Sequence, residues 1–362
     1  MDCRKIVYFT SKICIMLFVM SSCSSHVYNG MVFDNVFFTG SAPYKSKLSN
    51  GDEILKEVDC KIDVSVQDSF LFVGTLNEKN VFKVFSLSNL DLVGEFFSRG
   101  HGKYEFMQGP FLSGNTSFYK KNNELCATIY NFGSGKIYNI NFSESLNKQK
   151  LCAEQYKYSL RQNYGDCILL DSVLSDNSSF LVKDISPLND GCYKINVCKN
   201  GMLSTCNSLE ILNKFKMLSR NDTEILTSGL RYNYKHKIVI QIPIYMNYFN
   251  IIDLYGNSSK TICCGNEVNN PYDYLNEKNK KKFFSDVRVY NEFFVIRCAK
   301  EYKNSFLFYS YEGELLYELQ CDEESQCFDI DLSNSFLYTV NYREFIIKRY
   351  DISNVLSVIK GQ

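Results

Sequence analysis

The stretch Asn291–Leu319 limits what this chain can fold into more than any other. It holds three runs of aromatic and aliphatic residues, Phe293–Cys298, Ser305–Tyr311 and Leu315–Leu319, parted by polar turns such as Glu312-Gly313-Glu314. Each run has the length of a strand, and the turns carry residues that tolerate unusual backbone angles. One meander of this kind cannot bury its own faces, so it needs neighbours like itself.

Five further units repeat the pattern, over residues 68–97, 124–145, 179–203, 237–262 and 335–359. The last turns of the six units fall near Asn89, Ser143, Gly201, Gly256, Gly313 and Ser353, about 54, 58, 55, 57 and 40 residues apart. A long period with three or four strands per unit predicts propeller blades, whereas a sandwich has turn signals without that period. The expected fold is therefore an all-β, six-bladed β-propeller with about four antiparallel strands per blade. Aromatic residues make up 15% of the chain, as 26 Tyr and 28 Phe, and suit half-buried sheet surfaces. In the last unit, Val355-Leu356-Ser357-Val358-Ile359 reads as a strand after the turn at Asp351–Asn354.

A ring must also close, or it leaves a free sheet edge. Two runs precede the first unit, Ile54–Val58 and Ile62–Val66. An N-terminal strand from this region is expected to complete the last blade, pairing near Ile346 or Val355. The same region can equally supply the inner strand of the first blade.

The first residues read as an export signal and stand outside the fold. Arg4 and Lys5 are followed by the apolar run Ile13–Met20, then Ser21, Ser22 and Cys23. This resembles a bacterial lipoprotein signal, although Met20 stands where the pattern prefers Leu. The resemblance implies cleavage after residue 22, acylation of Cys23 and a membrane anchor. No acidic cluster follows Cys23, which points to the periplasmic face of the outer membrane. Residues 1–22 are thus expected as the signal, 23–52 as a tether, and 53–362 as the propeller.

Twelve cysteines remain beyond Cys23. In an exported chain they can be disulfides, with Cys321–Cys327 first and Cys192–Cys198 next. In apolar runs such as Leu125-Cys126-Ala127 they can equally be small hydrophobes. There is no Cys-x-x-Cys pair and there are three His, so no structural metal is expected.

Between the first two units lies Phe97-Ser-Arg99-Gly100-His101-Gly102-Lys103-Tyr104-Glu105-Phe106-Met107. Arg99, Gly100, Gly102, Glu105 and Phe106 match a segment of the TolB-like six-bladed β-propeller lipoproteins of Bacteroides-type bacteria, which the chain resembles. His101, Lys103 and Tyr104 depart from that pattern. The resemblance implies the fold and an envelope location rather than an activity. From the residues themselves, Arg99, His101, Lys103 and Glu105 form a candidate loop for a ligand's or partner's anionic group. Alternatively, Arg99 pairs with Glu105 and simply fixes the path between blades.

Chemistry is sparse. No Gly-x-Ser-x-Gly or His-Glu-x-x-His occurs, so no catalytic residue and no cofactor is assigned. His236 sits at a strand start. Lys+Arg and Asp+Glu number 40 each, so no broad basic face is implied and nucleic acid is not an expected partner. The expected role is a lipid-anchored envelope module that binds an envelope protein or a small ligand. The alternative is a lactonase-like, metal-dependent hydrolase at the channel mouth. Asn221, Asp222, Asn291, Asp329 and Asp331 would be available to it.

Overall fold

The computed structural model describes residues 31–361, apart from 77, 108–111, 113, 161–166, 173–178, 185–193, 213–227, 257, 276–279 and 300. The signal segment, Cys23, Cys192, Asn221 and Asp222 lie outside the described residues.

Three short strands come first: β1 (Val36–Phe38), β2 (Lys45–Lys47) and β3 (Asp52–Ile54). Blade 1 follows as β4 (Lys61–Gln67), β5 (Phe70–Thr75), β6 (Asn80–Ser86) and β7 (Leu92–Ser98). Blade 2 is β8 (Thr116–Lys121), β9 (Glu124–Asn131), β10 (Lys136–Asn141) and β11 (Ala153–Ser159). Blade 3 is β12 (Cys167–Ser172), β13 (Ser179–Asp184), β14 (Lys194–Lys199) and β15 (Met202–Ser204). Blade 4 is β16 (Ser228–Asn233), β17 (Ile238–Pro243), β18 (Tyr248–Asp253) and β19 (Lys260–Cys263). Blade 5 is β20 (Phe284–Val289), β21 (Phe294–Cys298), β22 (Ser305–Tyr309) and β23 (Leu315–Gln320). Blade 6 supplies β24 (Cys327–Asp331), β25 (Phe336–Asn341) and β26 (Ile346–Asp351).

Each blade is an antiparallel meander, and the six sheets make a six-bladed β-propeller. The opening stretch of the sequence is β21–β23 of blade 5. The core is a ring of layers between blades. Val64, Leu71 and Phe85 of blade 1 pack on Tyr338, Val340 and Ile347 of blade 6. Ile240, Phe249 and Ile262 of blade 4 pack on Val287, Phe294 and Tyr309 of blade 5. Aromatic rings fill these layers edge to face, as Phe249 does with Tyr309 at 4.8 Å between centroids.

The two N-terminal runs divide the tasks expected of them. β3 closes the ring, pairing antiparallel with β26 through Ile54 and Ile347. β4 is the inner strand of blade 1. Lys61 ties the two together, donating to the carbonyls of Leu55 at 3.0 Å and Val58 at 2.6 Å.

The other expected closing partner, Val355, is not in a strand. Ser353–Lys360 forms helix α4, after the shorter helices α1 (Phe142–Lys148), α2 (Asn207–Leu212) and α3 (Pro271–Leu275). Because β3 fills the fourth strand position of blade 6, the C-terminal run is released. Val355, Leu356 and Ile359 recur with helical spacing and bury one face against blades 5 and 6. Helix α1 likewise replaces the polar turn expected at Ser143–Ser145, with the Asn141 side chain accepting from Glu144 N at its start.

The segment expected as a tether belongs to the ring from Met31 onward. β1 adds in parallel to β19, and β2 adds in parallel to β23, each as a fifth strand. Met31, Val32 and Phe33 are buried. A polar cluster inside blade 4 holds them. Asn250 donates to Met31 O at 2.9 Å and to Gln241 Oε1 at 2.7 Å, while Thr261 Oγ1 donates to Asn250 Oδ1 and accepts from Phe33 N at 2.8 Å.

The expected Cys321–Cys327 disulfide is not formed, and Cys198 is a free thiol, while its expected partner Cys192 lies outside the described residues. Cys321 is a buried thiol that donates to Glu323 O at 3.2 Å, and Cys198 is a buried thiol in β14. Burial pushes the Cys198 thiol up to about 11, so it stays protonated and behaves as a small hydrophobe.

Candidate functional site

Strand alternation gives the ring two distinct faces. Inner strands begin at one, here called proximal, and end at the other, called distal. A cavity of about 580 Å³ lies where they end. Gln67 and Asp68 follow from β4, Tyr290 and Asn291 from β20, and Leu332 and Ser333 from β24. Among the described residues, blades 1, 2, 4, 5 and 6 line it.

Below the mouth, three inner strands share one device. In Asp63-Val64, Asp286-Val287 and Asp329-Ile330, the Asp Oδ1 accepts from the N–H of the next residue at 2.8 Å. In blades 1 and 5 the register slips at this Asp, so a β-bulge re-aims its side chain.

These carboxylates then meet two guanidinium groups. Arg288 Nη2 lies 3.4 Å from Asp63 Oδ1, and its Nε lies 3.3 Å from Asp286 Oδ2. Arg288 also donates to Phe328 O at 2.7 Å and Val64 O at 3.1 Å, joining blades 5, 6 and 1. Arg231 Nη2 reaches Asp286 Oδ1 at 3.5 Å from blade 4. Asp329 accepts from Tyr290 OH at 2.8 Å, Val66 N at 2.8 Å and Ser65 Oγ at 3.2 Å.

The group titrates as a unit shaped by burial. Burial pushes the Asp286 carboxyl up to about 6, against the pull of Arg288 and Arg231. Burial opposes the charge on Arg288, but Asp286, Asp329 and Asp63 more than offset it, so its pKa is raised. Burial beside Asp329 also holds the Tyr290 phenol well above its ordinary value.

At the rim, Lys120 pairs with Asp68 at 2.8 Å, linking blades 2 and 1. His236 bridges blades 4 and 5 at a strand start, with Nε2 at 2.8 Å from Asn291 O and its ring 4.3 Å from that of Tyr311.

The loop singled out in the sequence sits on the other face. It leaves the end of β7, which lies at the proximal side. There Arg99 donates to the carbonyls of Thr75 at 2.6 Å, Glu78 at 2.8 Å and Met107 at 3.3 Å. Glu105 accepts from Gly102 N at 2.7 Å and Ser98 Oγ at 3.4 Å. The two fix the loop separately and do not pair with each other. His101 and Lys103 are exposed, and Lys103 Nζ lies 4.9 Å from the Tyr104 ring. Phe106 is fully buried against Phe97.

Of the polar residues noted for a metal reading, Asn291, Asp329 and Asp331 line the distal cavity. Asp329 is held as above, and Asp331 accepts from Ser333 N at 2.9 Å and Asn334 N at 3.0 Å. Among the described residues, no group of three or more His, Cys, Asp or Glu is placed to hold a metal ion. None of their helices is long and apolar enough to cross a membrane. Arg231, Arg288, Tyr290, Asp63 and Asp286 were not singled out in the sequence. The usable signal was Asp-(Val/Ile)-x-(Val/Leu) recurring at 63, 286 and 329, just ahead of an apolar strand.

Fold and site together define a closed six-bladed β-propeller with a polar, charged distal mouth. No family profile matches the sequence, and no curated protein matches it. Solved structures are similar in fold. Chaetomium thermophilum Raptor has a TM-score of 0.46 at 12% identity, covering 82% of this chain and 29% of that one. The Myceliophteria thermophila Cps50 (Swd1) β-propeller domain has a TM-score of 0.44 at 11% identity, covering 85% and 99%. A chain of the Mitotic Checkpoint Complex has a TM-score of 0.42 at 10% identity, covering 80% and 73%. The protein spans less than a third of the Raptor chain.

Proposed function

We propose that the chain is a cell-envelope binding module of the TolB-like lipoprotein kind, anchored by lipid on Cys23 at the periplasmic face of the outer membrane. It binds a small ligand or an envelope protein rather than transforming one. The distal cavity carries this reading: it is large enough for a small molecule, mixes polar groups with aromatic walls, and sits where the inner strands converge. The acidic residues around it are engaged by hydrogen bonds or guanidinium groups rather than grouped for a cation.

The anchor fits the N-terminal segment 31–54, which straps the outer edges of blades 4, 5 and 6. Cys23 precedes the buried Met31 by eight residues, which reach about 29 Å at most, so blade 4 would ride close to the lipid surface. Membrane fractionation tests this part: wild type should sediment with membranes and Cys23→Ala should be soluble. A variant that stays membrane-bound would overturn the anchor. Calcium addresses the hydrolase alternative. Millimolar calcium should leave the melting temperature unchanged, whereas a saturable rise would favour a metal-dependent enzyme.

A further inference from the structure

We propose that the distal cavity is a carboxylate-binding site, with the Arg231 guanidinium as its grip. The inference deepens the binding-module reading and rests on it.

This protein satisfies a buried guanidinium thoroughly elsewhere. Arg297 is 1% exposed and donates to Ser325 Oγ, Cys298 O, Ser305 O, Asn304 Oδ1 and Glu323 O. Arg231 is treated differently. Its side chain is 12% exposed, yet it makes one hydrogen bond, from Nη1 to Leu230 O at 2.7 Å. Its contact with Asp286 is long, at 3.5 Å. Most of the five donors of a guanidinium therefore have no hydrogen-bond partner among the described residues, and Arg231 lines the cavity. No Arg231 nitrogen is among the buried atoms that lack a partner, so these donors are open to solvent, and a ligand with two coplanar oxygens would fill them as a bidentate pair.

The acidic residues on the wall do not compete: Asp329 and Asp331 are bonded as described, and Asp68 holds Lys120. Phe118, Tyr234 and Tyr290 line the remainder and suit an apolar or aromatic body behind the carboxylate.

Charge balance adds a readout. Among the described residues, Asp286 faces Arg288 on its own strand, Arg231 on β16 and Asp63 on β4. With Asp329, which also acts on Arg288, the group holds three carboxylates and two guanidinium groups, so a bound carboxylate adds a further negative charge. Protonation of Asp286 relieves it, and burial already favours that form. Binding should tighten as pH falls from about 8 to about 5.

Isothermal titration of the full chain in detergent tests the site. The probes are benzoate, benzamide, tri-alanine with a free or amidated C-terminus, and phenyl phosphate. At least one acid should bind about tenfold more tightly than its amide. Benzoate alone would identify a small organic acid, and tri-alanine acid a partner's C-terminus. Arg231→Met should abolish the preference. Asp286→Asn should tighten binding and flatten its pH dependence. If Arg231→Met does not fold, Arg231→Lys carries the test: it keeps the charge, loses the bidentate fork and should weaken the acid a few-fold. The inference is overturned by equal binding of acid and amide, by preference for phenyl phosphate over benzoate, or by no acid binding up to about 10 mM. Equal binding would leave the binding-module reading standing, because a neutral ligand would still occupy the cavity.

Discussion

At the scale of residues, the ring is held by buried charges whose partners are mostly backbone. Arg297 stacks over Phe306 with its guanidinium carbon 4.6 Å from the ring centroid, while its nitrogens gather carbonyls from β21, β22 and the loop before β24. Burial lowers its pKa, and neutral acceptors compensate for the lost water. Arg297→Met keeps the stem but strands those acceptors, so it should cost about 2–4 kcal/mol in urea denaturation. A loss within the scatter of surface variants would show that the acceptors find water instead. Asp286 gives a pH signature. Its folded value, about 6, lies above that of an ordinary Asp, so the folded state binds the extra proton between roughly pH 4 and 6. That contribution to stability is present below the ordinary value and is lost as pH rises through about 6. Compared with Asp286→Asn, wild type should therefore gain on the order of 2 kcal/mol as pH falls from 7 to 4. Parallel stability curves for the two proteins would refute this.

At the scale of elements, the three strands behind the inner one were legible and the inner strands mostly were not. Runs such as Phe294–Cys298 and Ser305–Tyr309 are buried on both faces between blades, so nearly every residue is apolar or aromatic and the strand is plain. The inner strands turn one face to the channel. Thr-Ser-Phe-Tyr-Lys-Lys of β8 and Cys-Phe-Asp-Ile-Asp of β24 carry polar residues where a core strand would not. The property that hid these strands is the one that makes the cavity. The glycine-containing loop at Ser98–Met107 drew notice because its pattern is local, whereas Arg231, Asp286 and Asp63 meet only through the ring. The strap was hidden for another reason: its strands have three residues each and hydrogen-bond to sheets over 200 positions away. Its strongest attachment is polar and buried. Asn250→Leu removes the bond to Met31 O and strands Gln241 and Thr261, so a loss of about 2–4 kcal/mol is expected. Hydrogen exchange should speed up at Phe33 first. Unchanged protection there would mean that apolar burial alone seats the strap.

At the scale of the molecule, the chain travels the ring about one and a half times. Residues 31–54 pass outside blades 4, 5 and 6, then the chain lays down blade 1 and continues round to blade 6 beneath its own start. The edges of three successive blades are thereby occupied by one segment, two in parallel and one antiparallel. These contacts differ in kind. β1 and β2 cover sheets that are already four-stranded, and Lys45 adds an ion pair to Glu318 at 3.2 Å. β3 is the fourth strand of its blade, and Ile54, Leu55 and Val58 belong to the apolar layer between blades 6 and 1. Truncation should separate these roles. A chain starting at residue 40 loses the burial of Met31, Val32 and Phe33, about 1.5–3 kcal/mol each, but keeps the ring closed. It should melt earlier in one cooperative step. A chain starting at residue 57 also loses β3, which opens the layer between the first and last blades and exposes the edge of β26. It should unfold without a single transition, with hydrogen exchange in blade 6 rising towards that of a loop. One cooperative transition at an unchanged urea midpoint for the shorter chain would mean that blades 1 and 6 hold each other without the strap, and the ring would then owe its closure to side-chain packing alone.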